Sequence, residues 1–568
     1  MIFAIYGVNR VAKDFTYIFS DFDVICYIDD EYDKPIFDGK KVYRLSDMDF
    51  AHRDSLGFDQ IIICDFLSGR MAKQNALISL GLVYERDFLY EEDFFELLDG
   101  EDRQINPHNK PVIIWGTGKN SDLFSDRFVK FTPELYVDSY KGDSTFYEKN
   151  VKFPDDVKDM RSYFVIIAVH RDEDIVQYLH EKGLEYGNDY INSEEIINRP
   201  SGMLRVTIFD KNTYNLNCRT PLNHIEFLKE GELYCCCSTF MISMGNARDG
   251  GVAQVWNSNK HKILCLSAVN GTYSFCNSDM CPLLFGKKGE KPNKDLDVAY
   301  PVMKSSPEVS AIGFDYTCNL KCETCRTDVR VAKHSDKERM LSFADYTIRE
   351  ILPKTKFFIM AGDGEVFVSE AYRHIYQSAN MNDVDYIRIL SNGTLFNEKN
   401  WKEFKANKRG KIMLTASVDA ATKATYENIR RNGNFDTLKA NMVFAGELRR
   451  RGELSYFRMN FVVQKRNYKE MVDFVKWGID IGADEVFFTK ILNWGTFSPD
   501  EFREISMMEA DGITVKPELK QIIEDPIMKN KIVDLGTIQY GHDTFDDVDI
   551  ENYYMWELER KVEGLFGV

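Results

Sequence analysis

Three cysteines in the stretch FDYTCNLKCETCRTD (314–328) are the residues of this sequence best placed to do chemistry. Cys318, Cys322 and Cys325 have the spacing C-x3-C-x2-C. Thiolates on one short loop can wrap three corners of an iron–sulfur cubane. Three protein ligands leave the fourth iron open to an exogenous ligand, just as catalytic metal sites keep a free position. The same residues also admit a zinc loop or three structural cysteines, although zinc normally takes a fourth Cys or His close by. The chain holds twelve cysteines, ten of them between Cys218 and Cys325, and its last 243 residues hold none. In a reducing compartment such clustering points to metal or catalysis rather than disulfides.

A second constellation lies upstream. Cys218 is followed by Gly231, by Cys235, Cys236 and Cys237, by the pair Gly245 and Asn246, by VWNS (255–258), by Cys265, and by the closing pair Cys276 and Cys281. The surrounding 201–304 segment is rich in Cys, Asn and Gly, with short strands and no strong helical period. A segment so rich in loops needs something besides apolar burial to hold it. A zinc knot is one way to use these cysteines, and a purely structural role is another.

The elements that must position these residues read as α/β. From about 305, apolar strands are expected at 309–316, 357–361, 386–391, 412–418, 457–464 and 485–490, with helical stretches between them. One helix is expected from an N-cap at Ser342 to Pro353. Another carries Phe435, Leu438, Met442, Ala445 and Leu448 on one face and stops at Gly452. A third sets Met471, Val472, Val475 and Ile479 together. Six alternating strand–helix units make a partial (β/α)6 barrel over 305–498, a fold that places its chemistry at the C-terminal ends of the strands. The Cys318 loop sits at such an end.

The first 200 residues look like an internal repeat. Apolar strands at 2–7 and 111–118 each end in glycine, strands at 26–30 and 135–139 each end in acid, and buried-type strands at 60–66 and 163–169 close each half. All-apolar strands in this order imply parallel sheets covered on both faces. Two small Rossmann-like units are expected, at 1–105 and 106–200. Their glycine turns, GVN (7–9) and GTGKN (116–120), open helices whose N-termini can hold a phosphate, yet neither completes G-x-G-x-x-G. The tail at 499–568 is acidic and mixed, with Tyr553, Tyr554 and Trp556 as aromatic anchors.

Composition narrows the partners. The net charge of −18 repels nucleic acid and anionic lipid. The longest apolar runs, 111–115 and 164–169, are far shorter than a bilayer span. The opening residues read as a strand and not a signal peptide, so a cytoplasmic location is expected.

The 305–495 region resembles the radical S-adenosylmethionine (SAM) superfamily, and the match runs beyond the cysteines. AGDGE (361–365) looks like the family's Gly-Gly-Glu motif, LSNGT (390–394) like its third-strand segment, and SVDAATKATYENIRRNG (417–433) like its fourth-strand signature. NFVVQKRNYKEM (460–471) follows the usual fifth strand and helix. The resemblance implies a [4Fe–4S] cluster on Cys318, Cys322 and Cys325 whose open iron chelates SAM. It also implies SAM contacts from Gly362, Gly364, Glu365, Ser391, Asn392, Ser417, Asp419 and Arg430. Glu365 would meet the SAM ammonium, Ser417 and Asp419 the ribose, and Arg430 the carboxylate. Thr324 departs from the family's usual aromatic residue before the third cysteine, which touches the adenine contact.

The upstream constellation looks like the SPASM or shorter twitch module, which binds auxiliary clusters. Here it precedes the barrel, whereas the module normally follows it, and its closing pair is sparser than a full set. One auxiliary [4Fe–4S] cluster is expected on Cys218, Cys236, Cys276 and Cys281, with Cys235 and Cys237 as alternates for Cys236. The second N-terminal unit is similar to small domains that bind nucleotide sugars in bacterial polysaccharide enzymes, with Asp138 where a ribose-binding acid would sit. The implied function is anaerobic reductive cleavage of SAM and hydrogen abstraction, as an oxidoreductase or epimerase acting on a carbohydrate or nucleotide-linked sugar. The alternative is a SPASM-type enzyme that oxidises, crosslinks or epimerises a peptide. Either needs a flavodoxin- or ferredoxin-like reductant.

Overall fold

The computed structural model describes residues 1–550 apart from 101–103, 129–130, 170–171, 211–213, 215, 237–241, 278–280, 282, 285–299, 301–303, 327–328, 361, 363, 407, 409, 494–495 and 540–548. The chain divides into two compact units. One comprises Met1–Asn212 with Lys294–Tyr300, and the other Thr213–Asn293 with Pro301–Val568.

The first unit holds two sheets of one topology. In the first, β1 (Ile2–Tyr6), β2 (Asp23–Ile28), β3 (Ile36–Phe37), β4 (Lys40–Tyr43), β5 (Gln60–Ile63) and β6 (Phe88–Tyr90) lie in the order β3-β4-β2-β1-β5-β6. In the second, β7 (Val112–Trp115), β8 (Leu135–Val137), β9 (Ser144–Phe146), β10 (Lys149–Lys152), β11 (Phe164–Ile167) and β12 (Tyr190–Asn192) lie in the order β12-β11-β7-β8-β10-β9. Each β6-to-β3 position has its counterpart in the second sheet, so the repeat in sequence is a repeat in structure. The central strands β1, β5, β7 and β11 are parallel to their neighbours and almost wholly buried, as all-apolar strands must be. Gly7 has φ +133° and a Cβ there would lie 2.2 Å from the Cys64 carbonyl oxygen, so the first turn admits only glycine.

Both glycine turns are already occupied by acids of their own chain. The Val8 amide donates to Asp29 at 2.8 Å, and the Thr117 hydroxyl donates to Asp138 at 2.6 Å. The Asp138 carboxylate also takes the amides of Tyr140 and Lys141.

The second unit is built on a ten-stranded sheet, β16-β15-β14-β17-β18-β19-β20-β21-β22-β23. Its members are β14 (His224–Leu228), β15 (Glu232–Tyr234), β16 (Gly245–Asn246), β17 (Val309–Gly313), β18 (Phe357–Met360), β19 (Tyr386–Ser391), β20 (Lys411–Ser417), β21 (Tyr456–Val463), β22 (Glu485–Lys490) and β23 (Val533–Asp534). The six strands expected from sequence are β17 to β22, in consecutive parallel order. The structure adds a parallel strand at each end. β14, from the cysteine-rich segment, pairs with β17, and β23, from the C-terminal extension, pairs with β22. Eight parallel strands thus run side by side. A separate two-stranded pair joins β13 (Asn217–Cys218) to β24 (Asp549–Ile550).

The two faces of this sheet differ. Val309, Ala311, Phe357, Ile359, Met413 and Tyr456 form a cluster of strand residues alone, which marks the inner face. On the other face Phe227 and Phe314 meet Phe343 of the helix His334–Tyr346 edge to face.

Two helix expectations need correction. The helix after the cysteine loop begins at His334, and Ser342 lies inside it with its hydroxyl on the Arg339 carbonyl. Pro353 does mark its end, in a short turn after the π-type segment Thr347–Ile351. In the helix Met471–Ile481 the buried face is Met471, Phe474, Val475, Gly478 and Ile481, while Ile479 is exposed. The helix Phe435–Arg450 buries the face expected of it. The helix Asn259–Val269 in the cysteine-rich segment was not expected. It is buried on most sides, so it shows no amphipathic stripe.

Candidate functional site

The Cys318 loop leaves the C-terminal end of β17. Cys318 and Cys322 are buried with Leu320, and Cys325 is exposed. Burial pushes both buried thiols up, and the arrangement answers with donors to sulfur. The Leu320 amide lies 3.5 Å from the Cys318 Sγ, an Arg430 nitrogen 3.7 Å from that of Cys322, and an Arg326 nitrogen 3.1 Å from that of Cys325. Arg326 also donates to the Tyr316 carbonyl, which fixes its guanidinium across the loop.

Two chains of hydrogen bonds bring most of the expected SAM residues to this loop. In one, the buried Glu365 carboxylate accepts the Ser391 hydroxyl at 2.7 Å and the Asn392 amide at 2.6 Å. The Asn392 side chain reaches Asn319 at 2.9 Å and the Cys318 Sγ at 3.8 Å. In the other, Arg430 donates to Asp419 at 2.8 Å and continues to Cys322. Asp419 sits at φ +65°, and its other carboxylate oxygen takes the Val462 amide. Ser417 ends β20 in register with Asn460 of β21. Gly362 and Gly364 pass close under the loop. A Cβ at Gly362 would lie 2.4 Å from Gly313 Cα, and one at Gly364 would lie 2.4 Å from the Asp315 carbonyl oxygen.

Two features of this arrangement fit the expected ligands. Glu365 is fully buried, and burial pushes its carboxyl up, yet its hydrogen bonds come from neutral donors. A buried carboxylate in that state is a site for a cation, as an ammonium is. Asn460 Oδ1, beside Ser417, is buried with no hydrogen-bond donor, an orphan acceptor suited to a hydroxyl.

Sequence reasoning did not single out the inner-face polar groups. Strand register puts His224 and Glu226 of β14 on the face of Val309 and Ala311, and sets Arg388, Arg458 and Glu485 on that same face. All five are buried. His224 Nε2 lies 3.2 Å from Glu226, Arg458 lies 3.5 Å from Glu485, and Tyr456 donates to Glu485. The alternation of polar residues within apolar strands was the available signal.

In the upstream segment, Cys218, Cys276 and Cys281 pack with Tyr273, Leu216 and Leu283. The motif's other residues shape the scaffold. Gly231, at φ +87°, precedes β15, Gly245 and Asn246 form β16 against it, and Gly245 packs on Val255. Cys235 is buried at the end of β15, near the Cys265 thiol on the following helix. Cys236 is half-buried, and Cys237 lies outside the described residues. Among the described residues no three Cys, His, Asp or Glu side chains gather as the ligands of one metal ion would. A cubane holds its cysteines at separate corners.

Residues 218–282 match the model of SPASM, an iron–sulfur cluster-binding domain. No curated protein matches the chain. Among solved structures, Streptococcus suis SuiB bound to S-adenosylmethionine is 17% identical with a TM-score of 0.25, over 33% of this chain and 41% of that one. SuiB bound to the precursor peptide SuiA is 17% identical with a TM-score of 0.24, over 32% and 39%. Native anSMEcpe with bound AdoMet and Cp18Cys peptide is 18% identical with a TM-score of 0.26, over 36% and 54%. The chain thus spans about two fifths to one half of the length of these proteins. Among the described residues no helix is long and apolar enough to cross a membrane. The match over 218–282 bears out the SPASM part of the resemblance read from the sequence, and the iron–sulfur cofactor that goes with it.

Proposed function

We propose that this chain is a radical SAM enzyme whose eight consecutive parallel strands present one cluster at Cys318, Cys322 and Cys325, with an auxiliary cluster in the SPASM segment. The observation that carries the reading is the loop at the end of β17. Its Cys318 thiol is met by Glu365 through Asn392, its Cys322 thiol by Asp419 through Arg430, and its Cys325 thiol by Arg326. A [4Fe–4S] cluster held by Cys318, Cys322 and Cys325, with SAM beside Glu365, would supply one-electron reductive cleavage of SAM for hydrogen abstraction from substrate.

The chain's own residues bind and orient. Glu365 offers its carboxylate to the SAM ammonium. Gly362 and Gly364 keep the backbone low enough for close approach. Ser391 and Asn392 fix the Glu365 carboxylate, and Asn392 also reaches the cysteine loop. Ser417 and Asn460 present polar atoms to the ribose, and Asp419 holds Arg430 in place. His224, Glu226, Arg388, Arg458 and Glu485 sit toward the N-terminal ends of their strands, away from the Cys318 loop, where His224 meets Glu226 and Arg458 meets Glu485 inside the sheet. An external flavodoxin- or ferredoxin-like protein would supply the electron.

For the substrate, the peptide-modifying reading stands ahead of the carbohydrate reading. The SPASM match supports it, because relatives with that module commonly modify peptides. The proteins named above include SuiB bound to a precursor peptide and anSMEcpe with a peptide, in keeping with that reading though not its ground. The carbohydrate reading rested on the N-terminal glycine turns, and Asp29 and Asp138 already occupy them.

The test is iron and sulfide per chain on anaerobically reconstituted protein, for the wild type and a Cys318/Cys322/Cys325 triple Ala variant. Two cubanes predict about eight irons falling to about four. The triple variant must also lose 5′-deoxyadenosine formation from SAM under dithionite. Retention of that activity would overturn the proposal.

A further inference from the structure

We infer that Tyr273 is the positioning residue of the auxiliary cluster, one residue that ties two ligand segments 58 residues apart in sequence, the first through its hydroxyl and the second through its backbone carbonyl. The inference rests on the proposed auxiliary cluster at Cys218, Cys236, Cys276 and Cys281. It assigns a role to a residue that the cysteine pattern does not mark.

Three observations converge on this residue. First, its hydroxyl makes two hydrogen bonds across the ligand loop. It donates to the Leu216 carbonyl at 2.6 Å and accepts the Cys218 amide at 2.8 Å. The backbone on both sides of Cys218's approach is thereby tied to one atom. Second, the other end of the same residue holds the second loop, because the Cys276 amide donates to the Tyr273 carbonyl at 2.9 Å. Third, the backbone of Tyr273 lies at φ +47°, a conformation that non-glycine residues rarely adopt. Such strain persists only where the surroundings over-determine it. Here the Tyr273 amide donates to the Ser267 carbonyl, and the ring is buried among Leu216, Cys281 and Leu283 with Tyr214 at its edge.

The geometry explains why a tyrosine is needed. A phenylalanine keeps the ring and the backbone but leaves the Cys218 amide and the Leu216 carbonyl without their partner. The Leu216 carbonyl is then a buried acceptor and the Cys218 amide a half-buried donor, and each must find water or move. Movement of the 216–218 segment carries the Cys218 sulfur with it. Cys276 and Cys281 lie in a segment closed by its own backbone bonds, including Cys281 to Asn277, and stay in place. The expected result is a site in which Cys276 and Cys281 stay fixed while Cys218 is loosened.

The experiment uses the full chain in the Cys318/Cys322/Cys325 triple Ala background, where any remaining iron belongs to the auxiliary site. Tyr273→Phe in that background is reconstituted anaerobically and read by iron content, by resistance to a chelator and by the EPR spectrum of the reduced cluster. The expected result is iron well below the background's complement, faster loss to chelator and altered g-values. An unchanged iron content and spectrum would overturn the role of Tyr273. If the triple Ala background itself holds no iron, the auxiliary cluster fails and the inference with it, a distinguishable outcome. Tyr273→Phe in the otherwise native chain controls for misfolding. It must still hold the Cys318 cluster and form 5′-deoxyadenosine from SAM, and a loss of both would assign the residue a general folding role instead.

Discussion

The two cysteine sites of this chain are assembled in opposite ways. The Cys318 site takes its three thiols from eight consecutive residues at the end of one strand, so local chain geometry delivers them together. The proposed auxiliary site would take Cys218 from the strand β13, Cys236 from the segment after β15, and Cys276 and Cys281 from the segment after the helix Asn259–Val269. Cys218, Cys276 and Cys281 pack in one cluster only because tertiary contacts hold distant segments. A site made locally should fail when its own loop is displaced, whereas a distributed site should fail when a remote tie is cut. The predictions below test that difference.

The largest expected effect is that of Gly364→Ala. The added methyl would lie 2.4 Å from the Asp315 carbonyl oxygen and 2.8 Å from that of Thr317, both backbone atoms of the cysteine loop. Neither can yield as a flexible side chain can, so the loop itself shifts. A misplacement of about 1 Å costs on the order of a hundredfold in rate, and 5′-deoxyadenosine formation should fall at least that far. The auxiliary iron should stay. Loss of both clusters together would show that the two sites are not independent, and the contrast between them would collapse.

The next effect runs the other way. Cys281→Ala should remove the auxiliary iron and leave cleavage of SAM without substrate within about twofold of the wild type, since the two sites share no ligand. The check is iron content beside 5′-deoxyadenosine yield under dithionite. An abolished yield would place the auxiliary cluster on the electron path to Cys318.

This contrast also sets what could be read from the sequence. The C-x3-C-x2-C loop was legible because its spacing is its geometry, and the six strands β17 to β22 were legible because each is a short apolar run between helical stretches. β14 and β23 escaped notice. His224, Glu226 and the two-residue β23 carry too little apolar pattern to be told from loop, and only pairing in the sheet makes them strands. The inner-face charges Arg388, Arg458 and Glu485 were passed over for a related reason. A lone charge in an apolar strand reads as an edge position until register puts it on the inner face. Tyr273 could not be found from spacing at all, because its partners are backbone atoms of Leu216 and Cys218.

The smallest effect concerns Arg326, the residue directly after the third ligand. Its guanidinium is buried, bridges the Tyr316 carbonyl and the Cys325 sulfur, and stands beside the most exposed of the three thiols. A hydrogen bond to a charged group contributes about 1.5–3 kcal/mol, and the exposure of Cys325 puts the expected value at the lower end of that range. Every ~1.4 kcal/mol is a factor of ten, so Arg326→Gln should lose iron to a chelator roughly tenfold faster from the Cys318 site alone. Arg326→Lys keeps the charge but not the planar fork that reaches both partners at once. It should recover part of the loss and no more. Full recovery by lysine would mean that charge alone steadies Cys325. The local site would then depend on its electrostatic surroundings, as the distributed site depends on its ties, and less on the geometry of its own loop.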